Sequence, residues 1–433
     1  MKPTLPDPIF PMTHIPNQYW YEQVRSRGEF CRFIPTGFSY NDHDFAAATG
    51  YVLAASAGLA RAQNPTEVDR CLTNAIGEVQ TAIWHHHADE HGRHSSALDL
   101  SMFQAFMAAL TRRAAQTTLD SYKAGHPSWR DSWALLHGLT AVLPPGPAER
   151  AEKLREGLVT ELGDDATGAL PAWCGTPPTP CGQIRWARDG YGGRLALFIE
   201  TSDPITGRQA VYLIDFDAAS TGTLVQAGEH PSLAAATAAW KAALPHAEGV
   251  TEPTPVTDGN QIAFLDYVHD PVHRTGPEQV EAIMTEFWRA QRRMADAIAW
   301  LGVDGITGPI RRDLTEPCET GGDIAAFAIW LDHHGARYSP EDIAWFVEFW
   351  TRYATPGSQR CVAPERVEGR RSSGFFWDHT DAVLEQVLAM LPLWTRYCAE
   401  RDNLLVRLTT KAMAALPATI DDLDIPEHKR RHC

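Results

Sequence analysis

The stretch from Gln183 to Leu244 constrains this chain most, because it is the only part whose apolar residues recur with period two. Ile184 and Trp186, then Leu195, Leu197 and Ile199, then Tyr212, Ile214 and Phe216 each project from one face of a strand. The joins Asp189–Gly193 and Asp203–Gly207 are short and rich in residues that accept turn geometry, so they read as hairpin connections of an antiparallel meander. A fourth short strand fits Thr223 to Gln226. Ser232 then caps a helix whose Leu233, Ala236, Trp240 and Leu244 share a stripe, and that stripe is expected to cover the apolar face of the sheet.

Both flanks read as helical. Before the sheet, Asn64-Pro65-Thr66-Glu67 supplies a cap, a first-turn proline and an acid for a helix carrying Val68, Leu72, Ile76, Val79 and Ile83. Helices opened by Ser96, Ser128 and Gly146-Pro147 complete a bundle over about 42–163, preceded by a Pro-rich arm with Tyr19, Trp20, Tyr21, Phe30 and Phe33. After the sheet, helices are expected from Thr275, Asp323 and Ser339, and a last long one from Asp378 that Pro392 should kink or split. The fold class is therefore mainly α within a multi-domain α+β chain, two α-helical domains flanking a small β-meander plus helix module. Its boundaries are 1–163 for the arm and bundle, 164–182 for a Pro-rich linker, 183–245 for the sheet module, 246–260 for a second linker, 261–416 for the C-terminal helices and 417–433 for a disordered tail.

Composition narrows the classes of function. The 433 residues are 44% hydrophobic and 21% charged, ordinary values for a chain with a sizeable core. A formal charge of −16 opposes sequence-independent contact with nucleic acid or an anionic membrane. The opening residues are too Pro-rich for a signal peptide, and no run approaches the ~18 apolar residues of a membrane span. Eight scattered cysteines fit reduced thiols, and so a cytoplasmic protein. Abundant Ala and an excess of Arg over Lys hint at a bacterial source.

No glycine-rich phosphate loop, nucleophile elbow or closed metal motif is present, so the first expectation is a non-catalytic binding or regulatory protein acting on a protein partner. Its contact residues would be Arg360, Arg366, Arg370 and Arg371, in what reads as an irregular loop from Gly357 to Gly374, together with Arg185 and Arg194 on the sheet. The alternative is a metal-dependent hydrolase holding a divalent metal. His87 and His91 stand one helical turn apart, and His269-Asp270 and His333-His334 have the ligand types that activate water on a metal. Against it, His333-His334 fall in a helix's last turn, where the dipole alone favours them. A second alternative uses Arg185, Arg194, Trp186 and Tyr191 as a nucleic-acid surface, though Asp189, Glu200, Asp215 and Asp217 cancel its charge.

Overall fold

The computed structural model describes residues 45–90, 100–168, 170–219, 223–262, 277–302, 321–351, 354–355, 357–372, 376, 379–423 and 425. The chain is mainly α-helical with one small antiparallel sheet, as its periodicities predict. Helices α1 (Ala46–Ala55), α2 (Pro65–Glu90), α3 (Leu100–Lys123), α4 (Trp129–Val142), α5 (Pro145–Leu162) and the short α6 (Asp164–Gly168) come first. Strands β1 (Thr179–Arg188), β2 (Arg194–Ser202), β3 (Gln209–Asp217) and β4 (Thr223–His230) follow, then α7 (Leu233–Ala243) and β5 (Thr254–Pro255). The C-terminal part comprises α8 (Pro277–Leu301), α9 (Gly321–His333), α10 (Pro340–Thr351), α11 (Pro364–Ser372), α12 (Asp381–Arg401) and α13 (Val406–Ala415). Among the described residues no helix is long and apolar enough to cross a membrane.

The cap motifs act as their chemistry dictates. Asn64 Oδ1 accepts from the Glu67 N–H at 2.9 Å, Ser232 Oγ from Ala235 at 3.2 Å, and Ser339 Oγ from Asp342 at 3.0 Å. Two helix boundaries differ from expectation. Helix α12 runs through Pro392 without interruption and ends at Arg401. The break falls instead at 402–405, where Asn403 takes a left-handed φ of 52°, a conformation Asn tolerates better than most residues. The Gly357–Gly374 segment is not an irregular loop throughout, since Pro364 and Glu365 open α11 with a first-turn proline and acid.

The sheet order is β4-β3-β2-β1-β5, all antiparallel, with Leu197 opposite both Trp186 on β1 and Ile214 on β3. Strand β5 lies in the expected second linker and pairs with Arg185 and Trp186. The face carrying Leu195, Leu197, Ile199, Tyr212, Ile214 and Phe216 is buried, but α7 does not cover it. That face joins one continuous core with the N-terminal helices and the long helix α8. Helix α7 packs on the opposite face, against Ala187, Ala196, Phe198, Val211 and Leu213. Both faces of β2 and β3 are apolar, and the 11-residue α7, with one large side chain in Trp240, matches the face that carries two alanines. The bulkier face takes the 25-residue α8.

Helices α2 and α8 meet at backbone distance. A Cβ on Gly77 would fall 2.2 Å from Thr285 Cα, so only glycine lets the two approach this closely. Helices α9 to α13 enclose a second core, which the sheet enters through its β1–β2 turn. Tyr191 is buried there and donates from its hydroxyl to the Leu408 carbonyl at 3.0 Å. Gly190 beside it faces the Glu248 carbonyl, which would stand 2.3 Å from a Cβ. Within the expected tail, Thr419 and Asp422 form a capping box and Leu423 is buried in the second core.

Candidate functional site

The predicted contact residues do not converge. Arg194 forms a two-pronged pair with Asp215 at 3.1 and 2.5 Å, and Gln226 also donates to that carboxylate at 3.1 Å. Arg185 is half-buried, donating to Gln183 Oε1 at 2.8 Å and lying 3.8 Å from Glu200. Arg360 bridges Asp323 and Asp402, each at 3.2 Å. Arg366 and Arg370 are buried, and both donate to the Trp350 carbonyl, at 3.1 and 3.2 Å, while Arg366 also reaches the Ser358 carbonyl at 2.8 Å. Two guanidiniums on the last turn of α10 complement its dipole and its otherwise unpaired carbonyls. Arg371 pairs with Glu368 one turn away at 3.3 Å.

Of the metal candidates, His333 and His334 end α9 on the surface. The His334 ring stacks on Trp330 at 3.9 Å, its Nδ1 lies 2.8 Å from the Trp330 carbonyl, and its Nε2 lies 3.9 Å from Glu400. His91, His269 and Asp270 lie outside the described residues, as does the side chain of His87. Among the described residues no three or more His, Cys, Asp or Glu side chains are grouped as a metal would require.

The structure instead draws attention to the place where α2, α4, α8 and the sheet meet. Helix α8 carries a charged stripe, Glu286, Arg289, Arg293 and Asp296, spaced three, four and three residues apart and turned inward. Asp69 on α2 is its counterpart. Its Oδ2 lies 2.8 Å from Arg289 Nε and 3.0 Å from Arg293 Nη2. Arg289 also meets Glu229 at 2.9 Å and Glu286 at 3.4 Å and stacks over the Tyr212 ring at 5.0 Å, while Tyr212 donates to Glu286 at 2.7 Å. Burial works against the Arg289 charge, but the Asp69 and Glu286 carboxylates outweigh it and hold the guanidinium more firmly protonated than usual. Burial also pushes the Glu286 carboxyl up, against Arg289 and the Tyr212 hydroxyl. Arg208 on Glu229 and Arg292 on Asp296 complete the cluster, so four carboxylates face four guanidiniums.

Beside this cluster lies a recess with a cavity of about 60 Å³, between α2, α4 and the turn 173–178. Asp69, His137 and Trp173 line it, with walls from Val68, Pro177 and Pro178. These three are more than nine-tenths buried, at 3, 6 and 3% exposure, and the half-buried Thr140 and Thr176 also line the recess. Asp69 Oδ1, His137 Nε2 and Trp173 Nε1 each lack a hydrogen-bond partner. Fifteen buried side-chain atoms without a hydrogen-bond partner occur among the described residues, and three of them belong to residues that line this one cavity. Helix α4 presents His137 one turn beyond Trp133, whose ring meets it edge-on at 4.7 Å.

Burial, reinforced by Arg155 and opposed by Glu152, pushes His137 down to about 4 from an ordinary value near 6.5. The folded chain thus binds fewer protons here than the unfolded chain as pH falls, and the contribution of neutral His137 is lost between about 6.5 and about 4. The expected loss is about 3 kcal/mol. Urea unfolding of wild type and His137→Gln at a series of pH values checks it, because the stability of wild type relative to the variant should fall by about 3 kcal/mol between pH 6.5 and pH 4.

Asp69 and the α8 stripe escaped the sequence reading, which followed only the apolar residues of those helices. The usable signal was charge recurring at the spacing of a buried stripe, in Glu286, Arg289, Arg293 and Asp296. No family model matches the chain, and no curated protein or solved structure matches it.

Proposed function

We propose that this chain is a cytoplasmic binding protein that takes a small polar molecule into the recess between α2, α4 and the turn 173–178. The observation that carries the reading is a cavity whose lining includes five polar side chains, Asp69, His137, Thr140, Trp173 and Thr176, between apolar walls. The junction also suits a regulatory role, because Asp69 faces the recess and at the same time anchors α8, which spans the N-terminal helices and the sheet. The acidic composition and the absence of disulfides among the five described cysteines support the cytoplasmic setting.

Equilibrium dialysis of the full chain against a small-molecule cell extract, read by mass spectrometry, tests the reading. A compound enriched by wild type and not by Ala141→Leu, which fills the recess from α4, is the expected result. Equal retention by both proteins discards the recess as the site.

A second reading, contact with a protein partner, is favoured by α9. That helix is apolar on nearly every side, yet it leaves Ala325 and Ile329 exposed, the latter at 60%. Photo-cross-linking from position 325 in whole cells should give one discrete adduct that Ile329→Glu abolishes, and an adduct pattern unchanged by that substitution removes α9 as the contact.

A further inference from the structure

We propose a second binding site, apart from the recess, in the groove between α1, α3 and α5, and assign it to a small anionic amphiphile, an alkyl chain ending in a single anionic head. The groove holds a cavity of about 500 Å³, within the range of about 300–1,000 Å³ usual for small-molecule sites. It shares no described lining residue with the recess.

The walls suit an alkyl chain. They include Ala46 of α1, Ala109, Ala115 and Leu119 of α3, and Leu154 and Leu158 of α5, of which Leu119 and Leu154 are only half-buried. Gly157 gives the groove its width. It lies inside α5, where glycine weakens a helix relative to alanine. A Cβ there would meet nothing within 4 Å, unlike one on Gly77, and Gly157 is not among the glycines with a left-handed φ. Neither packing nor backbone conformation therefore requires glycine at 157, and its effect is to leave the space above α5 open.

Charge sets the head group. Arg113 of α3 and Lys153 of α5 both line the groove and are exposed, and among the described residues neither forms an ion pair or hydrogen bond. Arg112 adds a third cation, and no carboxylate belongs to the described lining. The acids beside it are turned to other partners or leave these cations alone. Asp120 accepts from the Gln116 amide at 2.8 Å, and Glu152 accepts from Arg155 Nε at 2.9 Å. Glu149 and Glu156, one turn to either side of Lys153, form no ion pair with it. Three cations in one lining stand out in a chain of formal charge −16. The acidic body as a whole opposes an anionic membrane surface, whereas a small anion entering the groove meets the local excess of positive charge.

The test is calorimetric titration of the full chain with octanoate, octyl sulfate, octanol and octyltrimethylammonium, with butyrate as the short-chain control. Wild type should bind octanoate and octyl sulfate saturably, and octanol and octyltrimethylammonium about tenfold or more weakly. Butyrate, which keeps the head and shortens the chain, should also fall about tenfold or more below octanoate. Arg113→Gln combined with Lys153→Gln should bring octanoate down to the level of octanol. Gly157→Leu, which fills the groove, should weaken octanoate about tenfold or more, while its melting temperature stays at or above that of wild type because leucine is the better helix former. Octanol binding as tightly as octanoate overturns the anionic head. Octanoate binding that Gly157→Leu leaves unchanged places the ligand elsewhere and overturns the assignment. Absence of saturable binding also overturns it. Capture of phosphatidylglycerol vesicles would then make the face a membrane contact, and a dimer that Gly157→Leu dissociates would make it an interface between copies.

Discussion

Replacing Asp69 by alanine should lower the unfolding free energy by about 3–5 kcal/mol, read as a fall in the urea midpoint. Asp69 is 3% exposed and answers two guanidiniums, Arg289 and Arg293, of the inward charged stripe of α8. Its removal leaves Arg293 with Asp296 and the Pro178 carbonyl, and Arg289 with Glu229 and Glu286. The Arg289 and Arg293 side chains are 7 and 2% exposed, so the cost of two under-compensated buried charges exceeds that of a surface pair. A double-mutant cycle with Arg293→Met isolates the coupling, which should be at least about 1 kcal/mol, since the residues touch. A loss below about 1 kcal/mol for Asp69→Ala would show that the remaining carboxylates suffice.

Trp240→Ala should cost about 3–5 kcal/mol by the same measurement, for a different reason. Trp240 is fully buried and is the one large side chain that α7 places against the sheet, edge-on to Phe198 at 6.1 Å. Ala187, Ala196 and Ala236 are among the surrounding side chains and have no reach to fill the space. The indole N–H has no partner, which leaves no hydrogen bond to lose, and the whole effect should come from lost burial and the cavity. Trp240→Phe should recover more than half of the deficit. A loss for Trp240→Ala of less than about 1.5 kcal/mol would mean that α7 collapses onto the sheet.

What the sequence made legible follows the physics of each segment. The strands could be read because β2 and β3 alternate large aliphatic and aromatic residues between turn signals, and the turns Asp189–Gly193 and Asp203–Gly207 lie where they were expected. The side chosen by α7 could not be read that way, since Phe198, Val211 and Leu213 make the second face apolar too and alternation does not say which face meets which helix. Proline at 392 was expected to kink or split the last long helix, and the helix is not split there but ends after Arg401, in the polar run Glu400-Arg401-Asp402-Asn403. Arg366 and Arg370 read as a basic loop because each residue was weighed by its charge; Pro364-Glu365 before them was the helix signal. The recess was the least legible part. Asp69, His137 and Trp173 come from three segments with no shared motif, and only the folded arrangement shows that their polar atoms are left without partners. Four of the six metal-ligand candidates, His87, His91, His269 and Asp270, have side chains outside the described residues.

The meeting of α2 with α8 also bears on how the chain is made. Asp69 and Arg293 are 224 residues apart, and between them lies the whole sheet. At a synthesis rate of about 5–20 residues per second, Asp69 leaves the ribosome about 10–45 s before Arg293. During that interval the groove at Gly77, shaped to accept Thr285 at backbone distance, stands open on the nascent chain. The contact of Gly77 with Thr285 therefore forms only after the sheet and α8 have emerged, and a truncated product ending before α8 would leave that groove uncovered.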